Sequence, residues 1–213
     1  VEPGVVLVGG YMSGMYRIDK RDMTPRYLSP QSIGYKYIRP DKYIRSIFRD
    51  KEGIVWAGGH YNFKGIHPKN DYIEHYSTDY PVTFITAKDD QNLWIGTING
   101  LYKFNKELKK IQQVNLSSEL GAINTIHQAN EELTYIGTHG TGLWIYNDRT
   151  KQLDNYMKDN SALLSNNIFT ILPSSYPDEL IISTDKGLVC FNSQEKIFLN
   201  WTQEQGLLTD QFN

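Results

Sequence analysis

Apolar and polar positions alternate along this chain in short runs, each closed by glycine, asparagine, aspartate or lysine. Five stretches share one layout: "VVLVGGYMSGMYRID" (5–19), "IVWAGGHYNFKGIHP" (54–68), "LWIGTINGLYKFN" (93–105), "TYIGTHGTGLWIYN" (134–147) and "LIISTDKGLVCFN" (180–192). Each is an apolar run, a small residue, a short loop, a glycine and a second run, which predicts two β-strands joined by a hairpin. Runs such as "KYIRSIFRD" (42–50), "PVTFITAKDD" (81–90), "AINTIHQAN" (122–130) and "NNIFTILPS" (166–174) precede the pairs. Others follow them, as in "NDYIEHY" (70–76), "KKIQQV" (109–114), "KQLDNYM" (151–157) and "KIFLNWT" (196–202). Each unit therefore has four strands, and no stretch sustains the i, i+3, i+4, i+7 spacing of a long helix.

The small residues that end the first run of each pair are Gly9, Gly58, Gly96, Gly137 and Ser183, separated by 49, 38, 41 and 46 positions. A β-rich period of this size is that of propeller blades. The expected fold is all-β, a β-propeller of four-stranded antiparallel blades. Its repeats are placed at 1–28, 42–76, 81–114, 121–157 and 166–202, with 203–213 a link toward a next blade. The first unit lacks its leading strand. Five units either close as a five-bladed ring or form an arc of a larger, seven-bladed propeller. Sheets of such short strands cannot bury both faces alone, so Trp56, Trp94 and Tyr135 are expected to pack between blades.

Composition narrows the function classes. Twenty-two basic and twenty-four acidic residues leave a net charge of -2, which supplies no field for nucleic acid or an anionic membrane. The single cysteine, Cys190, excludes an internal disulfide framework and reads as a small buried strand residue. No apolar run approaches the roughly 20 residues of a membrane helix, and the first residues lack a signal-peptide pattern. Any export signal or anchor is expected outside this chain.

Catalytic signatures are weak. Gly137, Gly140 and Gly142 are spaced G-x-x-G-x-G and lead into a β run, which fits a hairpin and not a phosphate cradle. The five histidines form no H-E-x-x-H and no zinc spacing, Asp89 and Asp90 fall at a turn, and there is no G-x-S-x-G. No catalytic residue, metal or cofactor is expected. The loops between second and third strands emerge on one face and present Tyr11, Met12, His60, Tyr61, Asn62, Asn99, His139 and Asp185. Aromatic faces and hydrogen-bonding groups of this kind suit a sugar. The connection "SPQSIGYKYIRPDKYIRS" (29–46) adds Tyr37 and Arg39; arginine binds carboxylate or sulfate bidentately, so this segment is either a site for an acidic glycan or a solvated link.

The stretch "DDQNLWIGTINGLYKFN" (89–105) carries D-x-x-N-x-W-x-G-T-x-x-G-L and, with "NEELTYIGTHGTGLWIYN" (130–147) as a weaker form, resembles the two-component regulator propeller repeat. "NSALLSNNIFTIL" (160–172) and "GLLTDQFN" (206–213) are similar to that family's inter-blade link. The second unit's longer hairpin, Ser183 in place of glycine and a first unit without tryptophan depart from the pattern. The resemblance implies the periplasmic sensor region of a membrane-anchored, Bacteroides-type hybrid histidine kinase, responding to oligosaccharides and pairing as a homodimer in the full-length protein. The alternatives are a propeller scaffold for another protein and a carbohydrate-active enzyme domain.

Overall fold

The computed structural model describes residues 4–10, 12–28, 43–60, 62–67, 73–117 and 119–212. Strands β1 (Val5–Gly10), β2 (Gly14–Asp19) and β3 (Pro25–Tyr27) form a first, three-stranded sheet. The second contains β4 (Ile44–Arg49), β5 (Val55–Gly59), β6 (Asn62–Ile66) and β7 (Ile73–Ser77), and the third β8 (Val82–Ala87), β9 (Asn92–Thr97), β10 (Gly100–Asn105) and β11 (Lys110–Gln113). The fourth holds β12 (Ala122–Gln128), β13 (Leu133–His139), β14 (Leu143–Asn147) and β15 (Leu153–Tyr156). The fifth is β16 (Ile168–Pro173), β17 (Glu179–Thr184), β18 (Gly187–Asn192) and β19 (Ile197–Trp201). Every sheet pairs its strands in chain order, the meander the sequence pattern requires. The chain forms two compact units, Val1–Thr97 with Phe104–Ile111 and Ile98–Lys103 with Gln112–Asn213.

Side chains bonded to their own backbone shape the turns. Between first and second strands, the Asp89 carboxylate accepts from the amides of Gln91 and Asn92 at 2.9 and 2.7 Å, and the Asn130 carbonyl from those of Glu132 and Leu133. Asp89 thus builds a turn, while Asp90 pairs with Lys51 at 2.6 Å on the surface. Between third and fourth strands, Asn105, Asn147 and Asn192 accept backbone N–H bonds two or three residues ahead. Four residues beyond each asparagine a lysine, Lys109, Lys151 or Lys196, takes the left-handed conformation that completes the loop.

The small anchor residues let one sheet approach the next. A Cβ on Gly9 would lie 2.4 Å from Ile44 Cγ2, one on Gly58 2.4 Å from Val82 Cγ1, and one on Gly137 2.5 Å from Ile168 Cγ2. In each case the β-branched residue opens the following sheet's first strand and occupies the space a side chain would need. The first strands of the last four sheets share a β-bulge just after that residue, between Ile44/Ser46, Val82/Phe84, Ile123/Thr125 and Ile168/Thr170. A bulge re-aims the residues around it. Asn124 consequently donates to the Ile168 carbonyl of the next sheet at 2.9 Å, and the Ser46 hydroxyl accepts from the Ile85 amide at 2.9 Å.

Aromatic packing fills the remaining inter-sheet space. In the first unit the buried Trp56 lies 5.4 Å from the Phe104 ring of the third sheet, within a group completed by Phe63 and Tyr76. Trp56 Nε1 donates to Asp50 Oδ2 at 2.9 Å, and Lys106 Nζ sits 3.3 Å from the same oxygen and 2.7 Å from Glu52. Burial pulls the Lys106 ammonium pKa down, but the bonds to Glu52 and Asp50 outweigh it and hold the group above its ordinary value. In the second unit Phe191 packs among Tyr135, Tyr156 and Phe198, over a core that includes Ile168, Ile182 and Val189. Trp56 and Tyr135 are therefore inter-sheet residues, as expected, and Cys190 is buried in β18.

His127 stacks on Tyr135 at 6.2 Å, and burial pushes its pKa below the ordinary imidazole value of 6.5. Below about pH 6.5 the unfolded chain takes up a proton that the folded chain refuses, so this histidine's stabilising contribution is present above that pH and is lost as pH falls through the folded value. Thermal unfolding followed at pH 7.5 and pH 5.5 is expected to show a fall in Tm that is smaller in His127→Phe.

Candidate functional site

In an antiparallel meander the second hairpin of each sheet and the link to the next sheet share one end. In the second unit this end is built from repeated local chemistry. Thr138 and Thr184 are fully buried, and their hydroxyls donate to the carbonyls of Gly142 and Gly187 at 2.7 and 2.9 Å, closing the hairpins. Both glycines have positive φ, and a Cβ on Gly142 would meet the Tyr156 carbonyl at 2.2 Å. A small residue, a threonine and a glycine three or four positions after the threonine thus encode a docking gap, a hydroxyl latch and a close backbone approach.

The links bind to these hairpins. Gly100 N donates to Gly121 O at 3.1 Å, and Gly140 N and Gly142 N both donate to Asn166 O, at 3.1 and 3.0 Å. The Thr141 hydroxyl donates to Leu120 O at 2.9 Å and accepts from Trp144 Nε1 at 3.2 Å. His139 forms an antiparallel bridge with Asn167, whose amide donates to Asp185 Oδ2 at 3.1 Å. The Ser165 hydroxyl and then the Asn167 amide hold the Asp185 carboxyl below its ordinary range, against the effect of burial. His139 and Asp185, on adjacent hairpins, are joined through one asparagine.

Beside them lies a cavity of about 350 Å³ lined by Asn99, Gln113, Asn115 and Ser117, with Leu101, Val114, Leu116 and Leu120 as its apolar surface. Among the described residues its lining offers amide and hydroxyl groups and no charged side chain. Such a surface offers paired donors and acceptors to hydroxyl-rich molecules. The Thr141–Leu120 bond connects the cavity wall to the His139 hairpin.

Three of the residues singled out from the sequence, Asn99, His139 and Asp185, therefore share one end of the second unit. In the first unit, His60 packs against Tyr43 with ring centroids 5.5 Å apart, and Asn62 opens β6 opposite Ser77. Tyr11, Tyr37, Arg39 and Tyr61 lie outside the described residues. Sequence reasoning missed Gln113, Asn115, Ser117, Ser165 and Asn167. Their signal is the polar turn recurring before each first strand, which reads as a spacer until its hydrogen bonds are seen. Among the described residues no group of three His, Cys, Asp or Glu side chains is placed to hold a metal ion.

Comparison with known proteins places this architecture. Residues 39–61 match the family model of the two-component regulator propeller, the family that the sequence pattern resembles. Histidine kinase P4 of Formosa agariphila is 26% identical over 138 residues, covering 61% of this chain and 10% of the kinase. Among solved structures, the extracellular domain of the hybrid two-component system BT3049 from B. thetaiotaomicron matches 99% of this chain with a TM-score of 0.75 and 17% identity, over 29% of that domain chain. The corresponding domain of BT4673 gives 0.75 and 16%, over 99% of this chain and 28% of its own. At such identities the likeness establishes the fold: five antiparallel sheets corresponding to part of a larger propeller ectodomain. The chain spans less than a third of these structures and a tenth of the curated kinase.

Proposed function

We propose that this chain is a portion of the extracytoplasmic sensing region of a hybrid two-component histidine kinase, and that the hairpin and link end of its second unit takes part in recognising an oligosaccharide. The observation that carries the reading is the fold match over 99% of the chain to extracellular domains of two-component systems, supported by its relative among histidine kinases. In this reading the region is periplasmic, is anchored to the inner membrane through other parts of the polypeptide, and works as a pair. The phosphoryl chemistry belongs to those other parts. Asn99, His139 and Asp185 contribute hydrogen-bonding groups. Ligand shifts the receptor only by binding one arrangement of the paired ectodomains more tightly than the other.

The test uses the full-length receptor with a transcriptional reporter of its response regulator output, in cells given defined oligosaccharides. Asn99 and His139 are exposed, so alanine at either should leave stability within about 0.5 kcal/mol. The double variant Asn99→Ala/His139→Ala is expected to need at least tenfold more oligosaccharide for half-maximal output. An unchanged dose response would remove this end from the ligand site, and silence of the unmodified receptor toward every oligosaccharide would overturn the reading itself.

A further inference from the structure

The second and third sheets close one end of their shared interface with long charged side chains. Lys106, directly after the turn residue Asn105, is only 11% exposed along its side chain and reaches Asp50 and Glu52, while Lys109 crosses to Glu74 at 2.6 Å. The fourth and fifth sheets carry different residues at the matching positions. Cross-strand register leads from Trp56 through Gly65 to Glu74, and the same steps lead from Tyr135 through Ile145 to Asp154. Counted from the turn residue Asn192, Ser193 stands where Lys106 does and Lys196 where Lys109 does. Serine is too short to fill the gap that Lys106 fills, and aspartate reaches one methylene less far than glutamate.

A cavity of about 240 Å³ is left between the two sheets. Leu133, Tyr135 and Ile145 form its apolar side, and the Ser193 side chain faces the Tyr135 hydroxyl. Asp154 lines it from the fourth sheet and Lys196 from the turn of the fifth. Their charges do not meet as those of Glu74 and Lys109 do: Lys196 Nζ lies 5.8 Å from the Phe191 ring centroid, and Asp154 Oδ1 accepts from Gln152 Nε2 at 3.0 Å.

We propose that this cavity binds a small zwitterion, an apolar α-amino acid in its simplest form. The ligand ammonium pairs with Asp154, its carboxylate with Lys196, and its side chain lies against Leu133 and Ile145. Hydrogen bonds between charged partners are roughly twice as strong as neutral ones, so a ligand carrying both charges gains most here. A simple anion would meet the Asp154 charge, a simple cation that of Lys196, and a neutral sugar would answer neither. Drug-sized ligands occupy pockets of roughly 300–1,000 Å³, so this smaller one suits a molecule the size of a single residue. The site lies at the opposite end of the strands from the His139 and Asp185 hairpins, and binding here does not depend on an oligosaccharide binding there.

The test titrates leucine calorimetrically into the 213-residue chain, with N-acetyl-leucine, leucine methyl ester and glucose as comparisons. Saturable heat is expected with leucine, and at least tenfold weaker binding with each blocked form, since each lacks one charge. Asp154→Asn and Lys196→Gln should each weaken leucine binding at least tenfold with Tm unchanged. Ser193→Lys, which returns to this interface the long side chain found between the second and third sheets, should abolish it. Absence of heat with leucine, equal binding of glucose or of either blocked form, or full-strength leucine binding by any of the three variants would overturn the proposal.

Discussion

Asp50→Ala is expected to destabilise the first unit by about 3 kcal/mol, a large share of the roughly 5–15 kcal/mol that holds a domain folded. The carboxylate is 8% exposed and serves three donors: the Ile54 amide, the Trp56 indole and the Lys106 ammonium. Truncation leaves the buried indole N–H and the turn amide without the acceptor they use, and Lys106 keeps its bond to Glu52, whose side chain is largely exposed. Leaving buried donors unmet costs more than the bonds contribute when made. Asp50→Asn retains an acceptor for Trp56 and removes the charge, so its loss should be smaller. Urea unfolding monitored by tryptophan emission ranks the variants. A loss below about 1 kcal/mol for Asp50→Ala would show that the network is solvated.

Gly137→Val is the second large effect, at about 3 kcal/mol, because overpacking a filled interface displaces its surroundings. The added carbon would lie 2.5 Å from Ile168 Cγ2 and 2.6 Å from Thr125 Cγ2, separations that only movement of the fourth and fifth sheets can relieve. Gly140 is the control. A Cβ there meets nothing within 4 Å, so Gly140→Ala should cost only the backbone strain of its positive φ, about 1 kcal/mol. Combining Gly137→Val with Ile168→Ala should recover part of the loss, a non-additivity expected of residues in contact. Denaturation of Gly137→Val, Ile168→Ala, their combination and the unmodified chain measures this coupling, and strict additivity would remove Gly137 from the interface.

The fold was legible because each repeat states it in local chemistry. Alternation gives the strands, Asn105, Asn147 and Asn192 mark the turns, and the glycine that closes an apolar run, as at Gly9, Gly58 and Gly137, marks the docking gap. Asp50 and Lys106 were illegible because 56 positions separate them and nothing local pairs an aspartate in one repeat with a lysine in the next. The candidate site was half legible for a related reason. Asn99, His139 and Asp185 can be placed on hairpins by register alone, since hairpins at equivalent positions share an end. That His139 and Asp185 meet through Asn167 depends on a link whose path is set by backbone bonds to Gly140 and Gly142, and composition does not report such a path.

The proposed role of the hairpin and link end of the second unit is to bind a carbohydrate. Isothermal titration of the full proposed sensing region with defined neutral and acidic oligosaccharides is the test. Saturable heat is expected with at least one of them, weakened at least tenfold, about 1.4 kcal/mol, by Asn99→Ala/His139→Ala with no change in Tm. Absence of heat with every oligosaccharide, or full-strength binding by the double variant, would contradict it.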